Sequence, residues 1–358
     1  MFRPRFRIAL VSALLLVGQG SAWAWGHPGH QLVGSLADEL LVGSNAAKKV
    51  GALLGPGLKN LKTAAPWPDC VRDVERRASG AFVYNDHSKF HSPACVPFEG
   101  AAERARMEDY ARRNWTNCPG EGNQAPKACH RQYHFTDVAI QQDHYSRDFA
   151  GTSERDIVSA IAAAIKVLQG GPPATAPFQI KDKKEALLLI AHLVGDLHQP
   201  LHVGAVYLSD AGDPVDPGAS AAIVDPTTVT RGGNKLEIGD LNLHAEWDDV
   251  PSSISLGGLA TGPGQKRRVV LMAAARALPA TPGDVGSWPA AWASETVAVS
   301  RQAFAGLRFT RKGVLNTGDW AVQFNDREGY GHAMDALQTA QVERAAAHLA
   351  ALLRAIWP

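Results

Sequence analysis

Two His-x-x-x-Asp pairs, His192/Asp196 and His244/Asp248, stand in the second half of the chain, and His202 closely follows the first. Residues four apart on a helix lie on one face, so each pair can point an imidazole and a carboxylate into one site. Both groups are ordinary zinc ligands. Structural zinc sites favour cysteine, whereas His/Asp sites with an open position favour hydrolysis. Leu188, Leu189, Ile190 and Leu193 surround the first pair, and a charge buried there without a partner is costly. One such pair alone reads as an i,i+4 hydrogen bond. Both together, with His202 and the upstream run Trp25-Gly26-His27-Pro28-Gly29-His30, read as a multinuclear zinc site.

The upstream run follows a leader-like stretch. Arg3, Arg5 and Arg7 form a basic segment, Ile8 to Val17 an apolar one, and Ala22-Trp23-Ala24 a small-residue cleavage site, the pattern of a secretory signal peptide. Residues 1–24 are therefore expected to be removed, exporting the mature chain to the periplasm or outside the cell and freeing an amine on Trp25. The apolar run is too short to span a bilayer, so no membrane anchoring is expected. No obligate protein partner is evident. The chain carries 36 basic and 35 acidic residues. The leader holds three of the basic ones, so the mature balance is 33 − 35 = −2. Proteins that grip duplex DNA through its phosphates are usually clearly basic, so a polyanion must be attracted here locally, as a cluster of divalent cations would do.

The elements that must position these residues are mostly helical. Gln31 to Val42, with Leu32, Leu36 and Leu40, reads as a helix after a Pro28-Gly29 turn. Glu154 to Leu168, Lys183 to Leu197, Ala290 to Phe304 and Met334 to Ile356 read as further helices, the last suited to closing a bundle. Tyr84 to Ala128 reads as a loop with one helical piece over Ala101 to Arg113. Leu208 to Gly233 reads as another loop, with a short strand at Thr227 to Thr230. No repeat or linker divides residues 25–358, which read as one domain. Cys70, Cys95, Cys118 and Cys129 are even in number in an exported chain, consistent with one or two disulfides of undetermined pairing.

Several segments together resemble one family. They are Trp25-Gly26-x-x-Gly29-His30, Trp67-Pro68-Asp69-x-x-Arg72, His134-Phe135-x-Asp137, His192-Leu193-x-Gly195-Asp196-x-His198-Gln199-Pro200-Leu201-His202, Gly232-Gly233-Asn234 and Asn242-Leu243-His244-x-x-Trp247-Asp248. In this order they are similar to the S1/P1 nucleases. The resemblance implies a mostly α, compact multi-helix fold of the phospholipase C/P1 nuclease type with a short β-hairpin or loop excursion. It implies three Zn2+ ions and hydrolysis of phosphodiester bonds in single-stranded DNA or RNA to 5′-phosphorylated products, with 3′-nucleotidase activity on nucleotides.

Carried over by position, Asp69, His134, His192 and Asp196 would hold one zinc. His202, His244 and Asp248 would hold a second. The Trp25 amine and carbonyl with His30 would hold a third, bridged by Asp196. Arg72 would stabilise charge on the phosphate, or else pair with Asp69 or Asp73. Phe135 would stack on a base or lie in the core. Asp137 and Asn234 would bond base edges, with Gly232 and Gly233 allowing close approach, or Gly-Gly-Asn would be only a turn. His198 would orient a ligand, while His87 and His91 would be surface residues. The stretch from Asp69 to His134 is longer than in fungal members and contains all four cysteines, leaving Asp73 and Asp86 as competitors for the place of Asp69. The rival reading is a zinc phospholipase C, whose second-metal motif ends in Glu where this chain has Asp248.

Overall fold

The computed structural model describes residues 25–88, 91–119, 125–218, 228–312 and 320–358, so the leader expected over residues 1–24 lies outside the described residues. The described chain is mostly helical with small sheets. The first half holds α1 (His27–Leu41), α2 (Asn45–Leu58), α3 (Leu61–Ala64), α4 (Trp67–Val71), α5 (Ala101–Arg113), α6 (Ile157–Leu168) and α7 (Lys183–His198). The second half holds α8 (Leu243–Asp248), α9 (Leu256–Ala260), α10 (Gly262–Ala277), α11 (Trp288–Ala303) and α12 (Arg327–Ile356).

Helix α7 is the axis of the molecule. Nearly all of its residues are buried, as expected of a helix that is apolar around its whole circumference, and α1, α6, α11 and α12 pack around it. Asp182 caps it, its side chain accepting from Glu185 N at 2.8 Å. The large helical core so formed ends where a second apolar cluster begins, built from Leu201, Leu236, Leu243, Trp247, Phe309 and Trp320. A four-stranded sheet contributes to that cluster. Its strands are β7 (Leu236–Ile238), β8 (Leu241–Asn242), β9 (Leu307–Arg311) and β10 (Trp320–Phe324), in the order β8-β7-β10-β9 with only β7 and β10 parallel.

Shorter pairings place individual site segments. The strands β3 (Val138–Ala139) and β4 (Gly204–Ala205) run parallel, and just before them Thr136 N donates to His202 O at 2.8 Å. The segments after His134 and after His202 are thereby clamped together. An antiparallel pair, β1 (Val74–Arg76) with β2 (Phe82–Tyr84), opens the long stretch between Asp69 and His134. Two disulfides, Cys70–Cys95 and Cys118–Cys129, staple that stretch, each closing a loop of a size worth roughly 3 kcal/mol.

Four helix starts differ from the sequence reading, that of α11 by two residues, at Trp288 rather than Ala290. Pro28 sits in the first turn of α1, where its missing N–H costs nothing, so the helix begins at His27 rather than after a turn. Asp156 caps α6 and Asp326 caps α12, which move those starts to Ile157 and Arg327. The piece over Ala101–Arg113 is as expected. In the second loop, β5 (Tyr207–Leu208) pairs with β6 (Pro214–Val215), and Val229 bridges to Tyr207. Thr227, expected to start a strand there, lies outside the described residues, as do the rest of residues 219–227.

Gly34 shows how tightly α1 is seated. A Cβ added there would stand 2.7 Å from the backbone of Leu61. Helix propensity alone favours alanine by up to about 1 kcal/mol, whereas overpacking costs roughly 1–3 kcal/mol. Gly34→Ala is expected to lower the urea midpoint by a destabilisation of that second size. An unchanged or raised midpoint would contradict the packing described for α1 and α3.

Candidate metal centre

Helix α7 presents His192 and Asp196 on one face, with both side chains fully buried. His192 Nδ1 donates to Ala65 O at 2.8 Å, which fixes the ring and turns Nε2 inward. His192 Nε2 then lies 3.0 Å from His134 Nδ1 and 3.1 Å from Asp196 Oδ2. Asp69, from α4, stands 3.8 Å from His192 Nε2 and 4.0 Å from His134 Nδ1 through its Oδ1. Of its competitors, Asp86 pairs with Arg104 at 2.9 Å, and Asp73 is not in the group that gathers Asp69, His134 and His192.

The two oxygens of Asp196 face different ways. Oδ2 lies 3.0 Å from His134 Nδ1, whereas Oδ1 lies 3.1 Å from Nε2 of His30 on α1. His30 and His192 stack at 3.7 Å between ring centroids. Trp25 seals this side, its buried indole donating to Gly195 O at 2.8 Å. The next residue, Gly26, donates from N to Asp248 O at 2.9 Å.

His202, from the turn Pro200–His202, and His244, from α8, form a second cluster with Asp248. His202 Nδ1 donates to His134 O and His244 Nδ1 to Gly232 O, both at 2.7 Å. Burial pushes His202 down to about 4 and His244 to about 3, so both rings are neutral at neutral pH. A neutral imidazole has a single N–H, and each ring has used it. The two Nε2 atoms therefore face each other as lone pairs, 3.0 Å apart. Asp248 lies beside them, its Oδ2 3.7 Å from His244 Nε2.

Lone pairs converging in a dry site repel, and a cation between them removes the repulsion. The oxygens agree with this. Asp69 Oδ2 and Asp248 Oδ2 are buried without a hydrogen-bond partner among the described residues, a cost that a metal would offset. Burial holds Asp248 well above the usual carboxylate range. At Asp69 burial works in the same direction, but His192 and Arg72 outweigh it and the group sits at about 2. The donor set of imidazole and carboxylate suits zinc, so these residues fit the implied ions. A further trio, His27 with Cys70 and Cys95, does not, because its sulfurs are spent in a disulfide.

Above the clusters lies a cleft of about 310 Å³ lined by Arg72, Phe135, Asp137 and Asn234, among others. Phe135 is 38% exposed, so it is not core. Burial raises Asp137 to about 7, against the opposing effects of Arg231 and the Gly232 N–H. Arg72 both lines the cleft and approaches Asp69 at 3.5 Å. Gly232 and Gly233 adopt positive φ angles of 55° and 86°. Their close approach is to Leu201, where a Cβ on Gly232 would stand 2.2 Å from the carbonyl oxygen.

One expected residue turns away. His198 donates from Nδ1 to Val194 O and meets His348 Nδ1 at 2.8 Å through Nε2, and neither partner belongs to a ligand group. His87 is exposed as expected, but His91 is half-buried against Tyr84 and Glu99. Three contributors were missed. Gln199 donates to Asp248 Oδ1 at 2.7 Å, and its place between His198 and Pro200 was the available signal. Arg131 and Arg231 line the cleft; their only signal is that Arg131 lies three residues before His134 and Arg231 directly before Gly232.

The S1/P1 nuclease family model matches residues 105–358, well over half of the chain. The chain belongs to the S1/P1 nuclease family. The matched region of this S1/P1 chain contains His134, His192, Asp196, His202, His244 and Asp248, while Trp25, His30, Asp69 and Arg72 precede it. Among curated proteins it is 25% identical over 244 residues to Endonuclease 2 of Arabidopsis thaliana, covering 67% of this chain and 60% of that protein. It is 26% identical over 222 residues to Endonuclease 1 of the same plant, covering 59% of this chain and 54% of that protein. The matches thus span somewhat more than half the length of these relatives. The family assignment favours a nuclease over a phospholipase C.

Metal binding to groups that repel one another without it must stabilise the fold. An ion present at a thousandfold excess over its Kd contributes about 4 kcal/mol. A chelator is expected to lower the calorimetric Tm by several degrees, and added zinc to restore it. A Tm indifferent to both would mean that the rings donate to each other instead.

Proposed function

We propose that this chain is an exported trinuclear-zinc endonuclease. It hydrolyses single-stranded DNA and RNA to 5′-phosphorylated products and removes phosphate from 3′-nucleotides. The observation that carries this reading is the pair of opposed Nε2 lone pairs of His202 and His244 at the floor of a cleft lined by Arg72 and Phe135. Asp69, His134, His192 and Asp196 would hold one zinc, and His202, His244 and Asp248 a second. His30 with the Trp25 amine and carbonyl would hold the third, Asp196 serving both neighbours through its two oxygens. In this reading residues 25–358 are the catalytic domain, and removal of residues 1–24 creates the amine that completes the site. Among the described residues no helix is long and apolar enough to cross a membrane.

When bound, zinc supplies Lewis acidity that lowers the pKa of water from 15.7 toward about 7 and neutralises phosphate oxygens. The chain's own residues do the rest. Arg72 forks onto a non-bridging phosphate oxygen as its charge grows. The oxygen of a water molecule bonds to phosphorus and gives up a proton, and the bond from phosphorus to the 3′-oxygen breaks. That oxygen leaves as a hydroxyl after taking up a proton, so the phosphate stays on the 5′ side. Phe135 stacks on a base, worth roughly 1–3 kcal/mol, while Asp137 and Asn234 meet its edge. A base paired in a duplex is not free to lie on Phe135, which gives the preference for single strands.

The test is hydrolysis of denatured DNA by mature, zinc-loaded protein, with and without chelator. Chelator-sensitive cleavage to 5′-phosphorylated ends is expected. The same sequence as a duplex should be cut about a hundredfold more slowly, since freeing a paired base costs a few kcal/mol. Cleavage indifferent to chelator would overturn the mechanism. Release of phosphocholine from phosphatidylcholine without cleavage of DNA would move the reading to phospholipase C.

A further inference from the structure

Arg131 lies in the 3-10 turn Cys129–His134, which delivers His134 to the centre. Such a turn has three residues per repeat, so residues three apart eclipse. His130 and Tyr133 share one face, and both are buried. His130 lies against the rings of Tyr110 and Trp115, while Tyr133 packs on Phe178 and donates to Pro177 O at 2.7 Å. Arg131 and His134 share the other face, and both line the cleft. The turn is held from behind by this packing and by the Cys118–Cys129 disulfide. Arg131 is thus presented to the cleft by the same short element that positions a ligand group.

Its charge is offset only at longer range, by Asp73. The guanidinium donates from Nη2 to Arg72 O at 2.7 Å, which places a second cation beside the first. No carboxylate among the described residues lies within ion-pair distance of Arg131. The arginines of α5 behave otherwise: Arg106 meets Asp182 at 2.8 Å and Arg113 meets Glu185 at 2.6 Å. A guanidinium has five N–H donors in a fixed fork that matches phosphate, and one bond to a carbonyl leaves most of them for a ligand. Two neighbouring cations at the mouth of a cleft whose floor is rich in carboxylates call for a substrate with neighbouring anions.

We propose that Arg131 is a second phosphate contact, engaging the phosphate next to the scissile one, and that it selects oligonucleotides over mononucleotides. This rests on the nuclease reading above. A 3′-mononucleotide offers a single phosphate, which Arg72 engages. A longer strand offers the neighbouring phosphate that reaches Arg131.

The experiment compares kcat/KM for a trinucleotide and a 3′-mononucleotide in the mature zinc enzyme and in Arg131→Gln and Arg131→Lys. A hydrogen bond to a charged group contributes about 1.5–3 kcal/mol. Arg131→Gln should therefore lower the trinucleotide-to-mononucleotide ratio about tenfold or more, mainly through KM. The salt dependence on single-stranded DNA should become shallower by about 0.7 in log–log slope, as for the loss of one phosphate contact. Arg131→Lys, which keeps the charge, should recover that slope. Equal losses on both substrates would overturn the proposal, since Arg131 would then only prop Arg72. Unchanged activity on both would overturn it as well. If the unmodified zinc enzyme hydrolysed neither substrate, the nuclease reading itself would fall, an outcome separate from an active enzyme whose ratio does not respond to residue 131.

Discussion

Everything in this protein is arranged around buried imidazole lone pairs that must face one another. Three rings of the centre, His192, His202 and His244, each spend the Nδ1–H on a backbone carbonyl. The carbonyls come from Ala65, His134 and Gly232, three separate segments of the chain. Held this way, the Nε2 atoms of His202 and His244 cannot satisfy each other, which is a loss inside a dry site, while Nε2 of His192 faces His134 and Asp196. A divalent cation turns the loss into a gain. The fold is thus stable in the form that can do chemistry, with most of the required alignment completed before substrate arrives.

The apolar architecture follows from that demand. Helix α7 carries His192 and Asp196 in the middle of the large core, and the smaller sheet-backed cluster brings His202 and His244 to its edge. The centre lies at this seam, where side chains from both halves can converge and one side remains open as the cleft. The N-terminal segment closes the far side, Trp25 bonding beside Asp196 and Gly26 bonding to Asp248. The insertion between Asp69 and His134 is also part of the frame. Its disulfides begin next to Asp69, at Cys70, and end in the turn that carries His134, at Cys129.

Much of this was legible in the sequence, for identifiable reasons. The spacing of four in His192/Asp196 and His244/Asp248 maps directly onto one helical face, and α7 is a long apolar run closed by Pro200. The starts of α1 and α12 were not legible, because Pro28 and the glycines after Asp326 resemble breaks until their places in the first turn are known. The strands β9 and β10 were missed because the chain returns to them after a long helical stretch, and β10 finds its partner β7 far back in sequence. His198 was misread because adjacency in sequence is not adjacency in space: two residues beyond Asp196, it points to the opposite side of α7 and meets His348. Arg131 was invisible for a related reason. An arginine three residues before a histidine matches no ligand motif, and only the turn Cys129–His134 brings the two to one face.

The most direct test of the account is diffraction from crystals of the mature, zinc-loaded protein at the zinc absorption edge. The account predicts an anomalous peak between Nε2 of His202 and Nε2 of His244. A second should lie among Asp69, His134, His192 and Asp196, and a third beside His30. A fully zinc-equilibrated crystal with no peak between His202 and His244, and the two rings hydrogen-bonded to each other, would contradict it.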